Sequence, residues 1–203
     1  MSSQHAAAHA PPEHHTSTGL DNVKLAMWAF LGSECLFFGS LISTYLLYRN
    51  RVLDGPKPQE IYDIPYTSVS SFVLLMSSVT MVLALAAIQR GDHRGLRIWL
   101  LATAMLGSVF IGGQIYEFTT FVDEGLKLST STFGSAFFVM TGFHGAHVTV
   151  GIFMLLSLVG MSMFGRLSDP DGPRKVELIG LYWHFVDIVW IVIFTVVYLI
   201  PTN

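Results

Sequence analysis

The chain is poor in charge, poor in cysteine and without a basic excess. Lys, Arg, Asp and Glu make up 12% of its 203 residues, about half of the ~25% usual for soluble domains. A soluble protein of this length needs a charged outer shell, and this chain cannot supply one. A net charge of −3 gives no reason to expect nucleic acid as a partner. The single cysteine, Cys35, excludes an intrachain disulfide and any thiolate cluster built from this chain alone. Residues 1–20 lack the apolar run of a signal peptide. They are polar, contain Pro11 and Pro12, and hold His5, His9, His14 and His15, half of the eight histidines. A His-rich tract is able to bind metal, but the reading adopted is a flexible cytoplasmic tail. With pKa values near ~6.5, its histidines would collect protons at the membrane face.

What is present is apolarity. Hydrophobic residues reach 52%. A spanning helix needs about 20 predominantly apolar residues, and five segments qualify: about 23–48, 69–88, 96–121, 133–164 and 178–200. Polar connections with Asp54-Gly55-Pro56, Gly91, Gly95, Gly125 and the run from Asp169 to Pro173 separate them. The expected architecture is an all-α integral membrane domain, residues 21–203, forming a bundle of five transmembrane helices. Seven Lys and Arg residues fall on one side (24, 90, 94, 97, 166, 174, 175) and four on the other (49, 51, 57, 127). The richer side is expected to be cytoplasmic, which puts the N-terminus inside and the C-terminus outside.

Polar residues inside hydrocarbon carry the functional information. An ionised side chain at mid-bilayer costs at least ~2.5–3.5 kcal/mol. Glu34 lies roughly 17 Å into its helix, counted at 1.5 Å per residue, near the middle of a ~30 Å core. It must be neutral, paired, or facing protein or water. His144 and His147 are three apart and share a helix face, as do His184 and Asp187. Glu117 lies near the outer end of its helix, where a carboxyl is cheaper to place. The residues alone leave three readings open: haem or copper ligation by the histidines, a proton or ion relay, and a buried hydrogen-bond network that fixes packing. A haem bundle usually wants histidines on facing helices at matching depth. Only His184 stands opposite the fourth helix, and it lies nearer the inner surface.

Four strings then point to one family. Residues 134–148, GSAFFVMTGFHGAHV, resemble the fourth-helix signature of subunit III of haem–copper terminal oxidases. Residues 182–190, YWHFVDIVW, which include Trp183, resemble its last-helix signature. Residues 33–38, SECLFF, resemble its glutamate-bearing segment, and 114–118, QIYEF, its Gln-x-x-Glu-aromatic element. The resemblance implies the short five-helix bacterial form, multi-pass in the cell membrane, acting in aerobic respiration within a proton-pumping complex.

The family's properties are expectations here. They imply no catalytic, metal or cofactor-binding residue in this chain, with haem and copper in partner subunits. They imply direct packing on subunit I, neighbouring subunit II and possibly a small subunit IV, bound phospholipid, and support of proton uptake. Glu34, Glu117, His144, His147, Trp183, His184 and Asp187 match the family's polar and signature positions. In the long form an arginine near the inner end of the fourth helix's equivalent helps to hold a lipid head group. Met161 stands at the aligned place, with Arg166 nearest. Cytochrome c is the expected electron donor, partly on Glu34. The alternatives are a quinol oxidase subunit III or an independent proton or ion transporter.

Overall fold

The computed structural model describes residues 21–49, 63–123, 125 and 132–200. The His-rich tail therefore lies outside the described residues. The elements are α1 (Asn22–Tyr48), α2 (Ile64–Gln89), α3 (His93–Asp123), α4 (Thr132–Met163) and α5 (Gly172–Phe194), the last continued by a π-helical turn, Thr195–Leu199. No strand occurs among the described residues. All five helices are long and apolar enough to cross a membrane.

Helix starts follow capping chemistry more closely than apolarity. Asp21 accepts from the Val23 amide at 3.0 Å and begins α1. Asp63 accepts from the Tyr66 amide at 3.1 Å, with Pro65 in the first turn. That turn tolerates proline because its amides have no intrahelical partner. So α2 starts at Ile64, five residues before the expected 69, and Pro65 is helical instead of a loop residue. Helix α5 also starts early, at Gly172 with Pro173 in its first turn instead of near 178, here without a side-chain cap. Its opening residues Arg174, Lys175 and Glu177 are charged, so counting apolar residues overlooks them. Gly91 and Gly165, at φ 74° and 72°, turn the chain after α2 and α4 in a region that favours glycine.

The helices α2, α3, α4 and α5 close a four-sided bundle: α2 packs on α3 and α5, and α4 on α3 and α5. Helix α1 lies outside this square, in the seam where α4 and α5 meet. It buries only Leu31, Phe38 and Tyr45, a stripe with seven-residue spacing and one residue wide. By contrast, half of the apolar window of the last helix is buried, against 11% for α1. Two ion pairs tie the starts of α1 and α5 together, Lys24–Glu177 at 2.5 Å and Arg174–Asp21 at 3.3 Å.

Candidate functional site: intramembrane polar groups

Two tryptophans of α5 and the hydroxyls of α2 form the main polar seam. Trp183 and Trp190 are seven residues apart, so both point into the bundle. The Trp183 indole fits a slot between glycines. A Cβ added at Gly107 of α3 would meet its ring at 2.6 Å, and one at Gly151 of α4 at 2.8 Å. Its Nε1–H donates to Ser77 Oγ of α2 at 2.9 Å, so one side chain touches all three neighbouring helices. One face of α2 continues the pattern. Ser71 Oγ accepts from Trp190 Nε1–H at 2.8 Å. Thr67 Oγ1 donates to Glu117 Oε1 at 2.6 Å. Thr80 bonds Thr103 of α3 at 2.8 Å. A hydroxyl both donates and accepts, and it carries no charge into hydrocarbon.

Glu117 is 7% exposed and accepts a second bond from Tyr198 at 3.0 Å. The π-helical turn makes this possible. Its wider winding, closed by the Ile200 amide on Thr195 O at 3.1 Å, turns both Val197 and Tyr198 inward. Glu117 lies near the outer end of its helix, where a carboxyl is cheaper to place, yet it is bonded twice across helices.

Glu34 meets His147 across the α1–α4 seam, Oε2 to Nε2 at 3.1 Å, with each side chain about one-fifth exposed. His147 Nδ1 lies 2.7 Å from Phe143 O, a pure acceptor, so Nδ1 carries a proton and donates. One further proton then lies between Nε2 and Glu34. On either atom it leaves the pair with no net charge, which is the condition hydrocarbon imposes. The Tyr182 hydroxyl donates to His147 O at 3.0 Å and links this pair to α5.

Ser78 joins His184 and Asp187. Its Oγ lies 3.0 Å from His184 Nδ1 and donates to Asp187 Oδ2, while Asp187 Oδ1 is buried and has no hydrogen-bond partner among the described residues. His144 is fully buried, and neither ring nitrogen has a hydrogen-bond partner there. Its ring stacks on Trp190 with centroids 4.9 Å apart and meets the Phe110 ring edge-on at 5.8 Å.

The polar positions expected to form one network thus form separate groups: Glu34 with His147, His184 with Asp187 through Ser78, Glu117 with Thr67 and Tyr198, and His144 among aromatic rings. The haem-ligand reading finds no geometry to support it. His144 is packed between rings, and His184 is engaged with α2. No group of three or more His, Cys, Asp or Glu residues is gathered among the described residues. The sequence reading missed Thr67, Ser71, Ser77 and Ser78. The signal available was the recurrence of hydroxyls along an otherwise apolar helix, opposite indoles spaced by seven.

Comparison with known proteins identifies the family. The family model described as cytochrome c oxidase subunit III matches residues 9–201. The chain belongs to that family. Quinol oxidase subunit 3 of Bacillus subtilis (strain 168) is 41% identical over 97% of this chain and 95% of its own length. Cytochrome c oxidase subunit 3 of Bacillus sp. (strain PS3) is 39% identical, covering 94% and 91%. Cytochrome bo(3) ubiquinol oxidase subunit 3 of Pseudomonas aeruginosa is 36% identical, covering 98% and 94%. As a subunit III, the chain is a multi-pass bacterial membrane protein and part of a multi-subunit terminal oxidase, an oxidoreductase complex.

Proposed function

We propose that this chain is the non-redox subunit III of a proton-pumping haem–copper oxidase, packed directly on subunit I, with haem and copper held by partner subunits. The supporting observation is how its intramembrane polar groups are used. Glu34, Glu117, Trp183 and Trp190 each spend their hydrogen bonds on a neighbouring helix of the same chain. Such groups hold a scaffold together. Bound phospholipid, contact with subunit II and a small subunit IV, and support of proton uptake complete the reading. The Lys and Arg bias supports an N-terminus in the cytoplasm and a C-terminus outside.

The complex purified through a tag on this chain is expected to carry a large haem-bearing subunit, while the chain alone shows no visible absorption band. A haem spectrum from the isolated chain would overturn the proposal. Cytochrome c is the donor in the leading reading, in keeping with the family's description. A quinol donor is the second, favoured by the names of the Bacillus subtilis and Pseudomonas aeruginosa relatives. Turnover of the purified complex on reduced cytochrome c against a quinol separates them.

A further inference from the structure

An open groove runs along the α3–α4 seam on the outside of the bundle. It has two adjoining parts, with volumes of about 230 Å³ and about 430 Å³. Ile115 and Phe118 line both, so the groove is continuous from Asp123 at its mouth to Ile111. Its α3 edge is about 18 Å long at 1.5 Å per residue, or about three helical turns. On the α4 side the deeper part is lined by Gly142, Gly145 and Thr149, small residues on one helix face. A Cβ added at Gly142 would meet nothing within 4 Å, so no side chain of the described residues fills the notch there.

One polar atom in this groove is unused. Gln114 is 7% exposed and lines the deeper part. Its Nε2 donates to Thr141 O at 2.7 Å, which fixes the orientation of the carboxamide, because a flipped amide would set oxygen against oxygen. Oε1 then lies over Gly145, 2.7 Å from where a Cβ would stand, and accepts no hydrogen bond from the described residues. Gln114 is nine residues from Asp123, about 13.5 Å below the mouth and well inside a ~30 Å hydrocarbon core. At that depth there is no water to bond the oxygen, head groups are out of reach, and acyl chains carry no donor. The partner that suits it is a donor side chain on another helix, the bond that joins helices in a membrane.

We infer that this groove docks a transmembrane helix of another subunit of the oxidase complex, seated on Gly142 and donating a side-chain hydroxyl or amide N–H to Gln114 Oε1. Small residues let two helix backbones approach closely, and helices that cross at about 40° stay in contact for only a few turns. The three turns of the groove match such a crossing. A second copy of this chain fits less well. Docked by two-fold symmetry it sets groove against groove, two hollows that do not fill each other. It also brings no free hydroxyl, because those nearby already donate within their own helices: Thr149 to Gly145 O at 2.8 Å, Thr119 to Tyr116 O at 2.7 Å and Ser108 to Ala104 O at 2.8 Å. The inference deepens the proposed function and rests on it for the presence of a partner subunit.

The test uses the intact oxidase complex with a photo-crosslinking phenylalanine in place of Ile115, which is 60% exposed and lines the groove. Irradiation should join this chain to a membrane helix of a different subunit, and mass spectrometry should place the adduct within one turn of a Ser, Thr, Asn, Gln or Trp. Gly142→Leu, which fills the notch where space is open, should abolish that adduct. Gln114→Met, which removes the acceptor and keeps the bulk, should lower retention of that subunit in a detergent challenge about fivefold, the loss of one net hydrogen bond. An adduct to lipid, to a quinol or to a second copy of this chain, or no adduct at all, would overturn the inference. So would an adduct that Gly142→Leu leaves unchanged, or retention that Gln114→Met leaves unchanged. In each of those cases a complex that still carries its haem-bearing subunit and reduces O₂ leaves the proposed function standing.

Discussion

The α2–α5 seam and the α1–α4 seam solve the same problem by different means. Both join helices in a solvent as apolar as their own side chains, where hydrophobic burial drives no association. The α2–α5 seam uses hydroxyls, with Ser71 and Ser77 against the Trp190 and Trp183 indoles and Ser78 against His184 and Asp187, while glycines of α3 and α4 admit the Trp183 ring. The α1–α4 seam uses a one-residue-wide apolar stripe and a single acid–base pair, Glu34 with His147. The first distributes adhesion over several bonds to serine hydroxyls. The second concentrates it on one proton-sharing contact, on a helix that is otherwise mostly exposed. Helix α1 is therefore held by few contacts, and the closed square by many, with the Trp183 slot at its centre.

This contrast breaks most sharply at Trp183. Replacing it with Ala empties the slot between Gly107 and Gly151 and should cost about 3–5 kcal/mol. Thermal unfolding of the complex in detergent should show early release of this subunit. Filling the slot from the other side, by Gly151→Ala, sets a Cβ 2.8 Å from the ring; such overpacking should cost about 1–3 kcal/mol in the same assay.

The α1 seam should give way with Glu34→Leu, which leaves His147 Nε2 unpaired at about 1–3 kcal/mol. Glu34→Gln keeps a donor there and should cost less. Crosslinking between α1 and α4 reads the difference, and equal loss in both variants would remove the pair from the account. Ser77→Ala should cost about 0.6 kcal/mol and at most about 1.7 kcal/mol, the average and the maximum for single interhelical bonds in membranes. A double-mutant cycle with Trp183→Phe isolates that term. Smallest is Lys24→Ala, within about 0–1 kcal/mol, because its pair with Glu177 is substantially exposed. Raising the salt concentration should mimic it.

Counting apolar residues was enough to give five spans, because bilayer thickness sets a length that few other segments reach by chance. It misjudged the starts of α2 and α5, where Pro65, Pro173 and the charged first turn of α5 belong to the helix. The depth of Glu34 implied a partner, but nothing local names His147, which lies 113 residues away. Helix α2 carries no charge after Asp63, so its role stayed hidden in ordinary serines and threonines. Tyr198 reaches Glu117 only because a π-helical turn changes the register of α5, and no residue in that turn announces it.

The central claim is that these polar residues hold helices together and do not form a proton route within this chain. Proton flux into liposomes containing the chain alone tests it most directly. Flux no greater than that of empty liposomes is expected, with or without Glu34→Gln. Flux through the native chain that Glu34→Gln abolishes would contradict it.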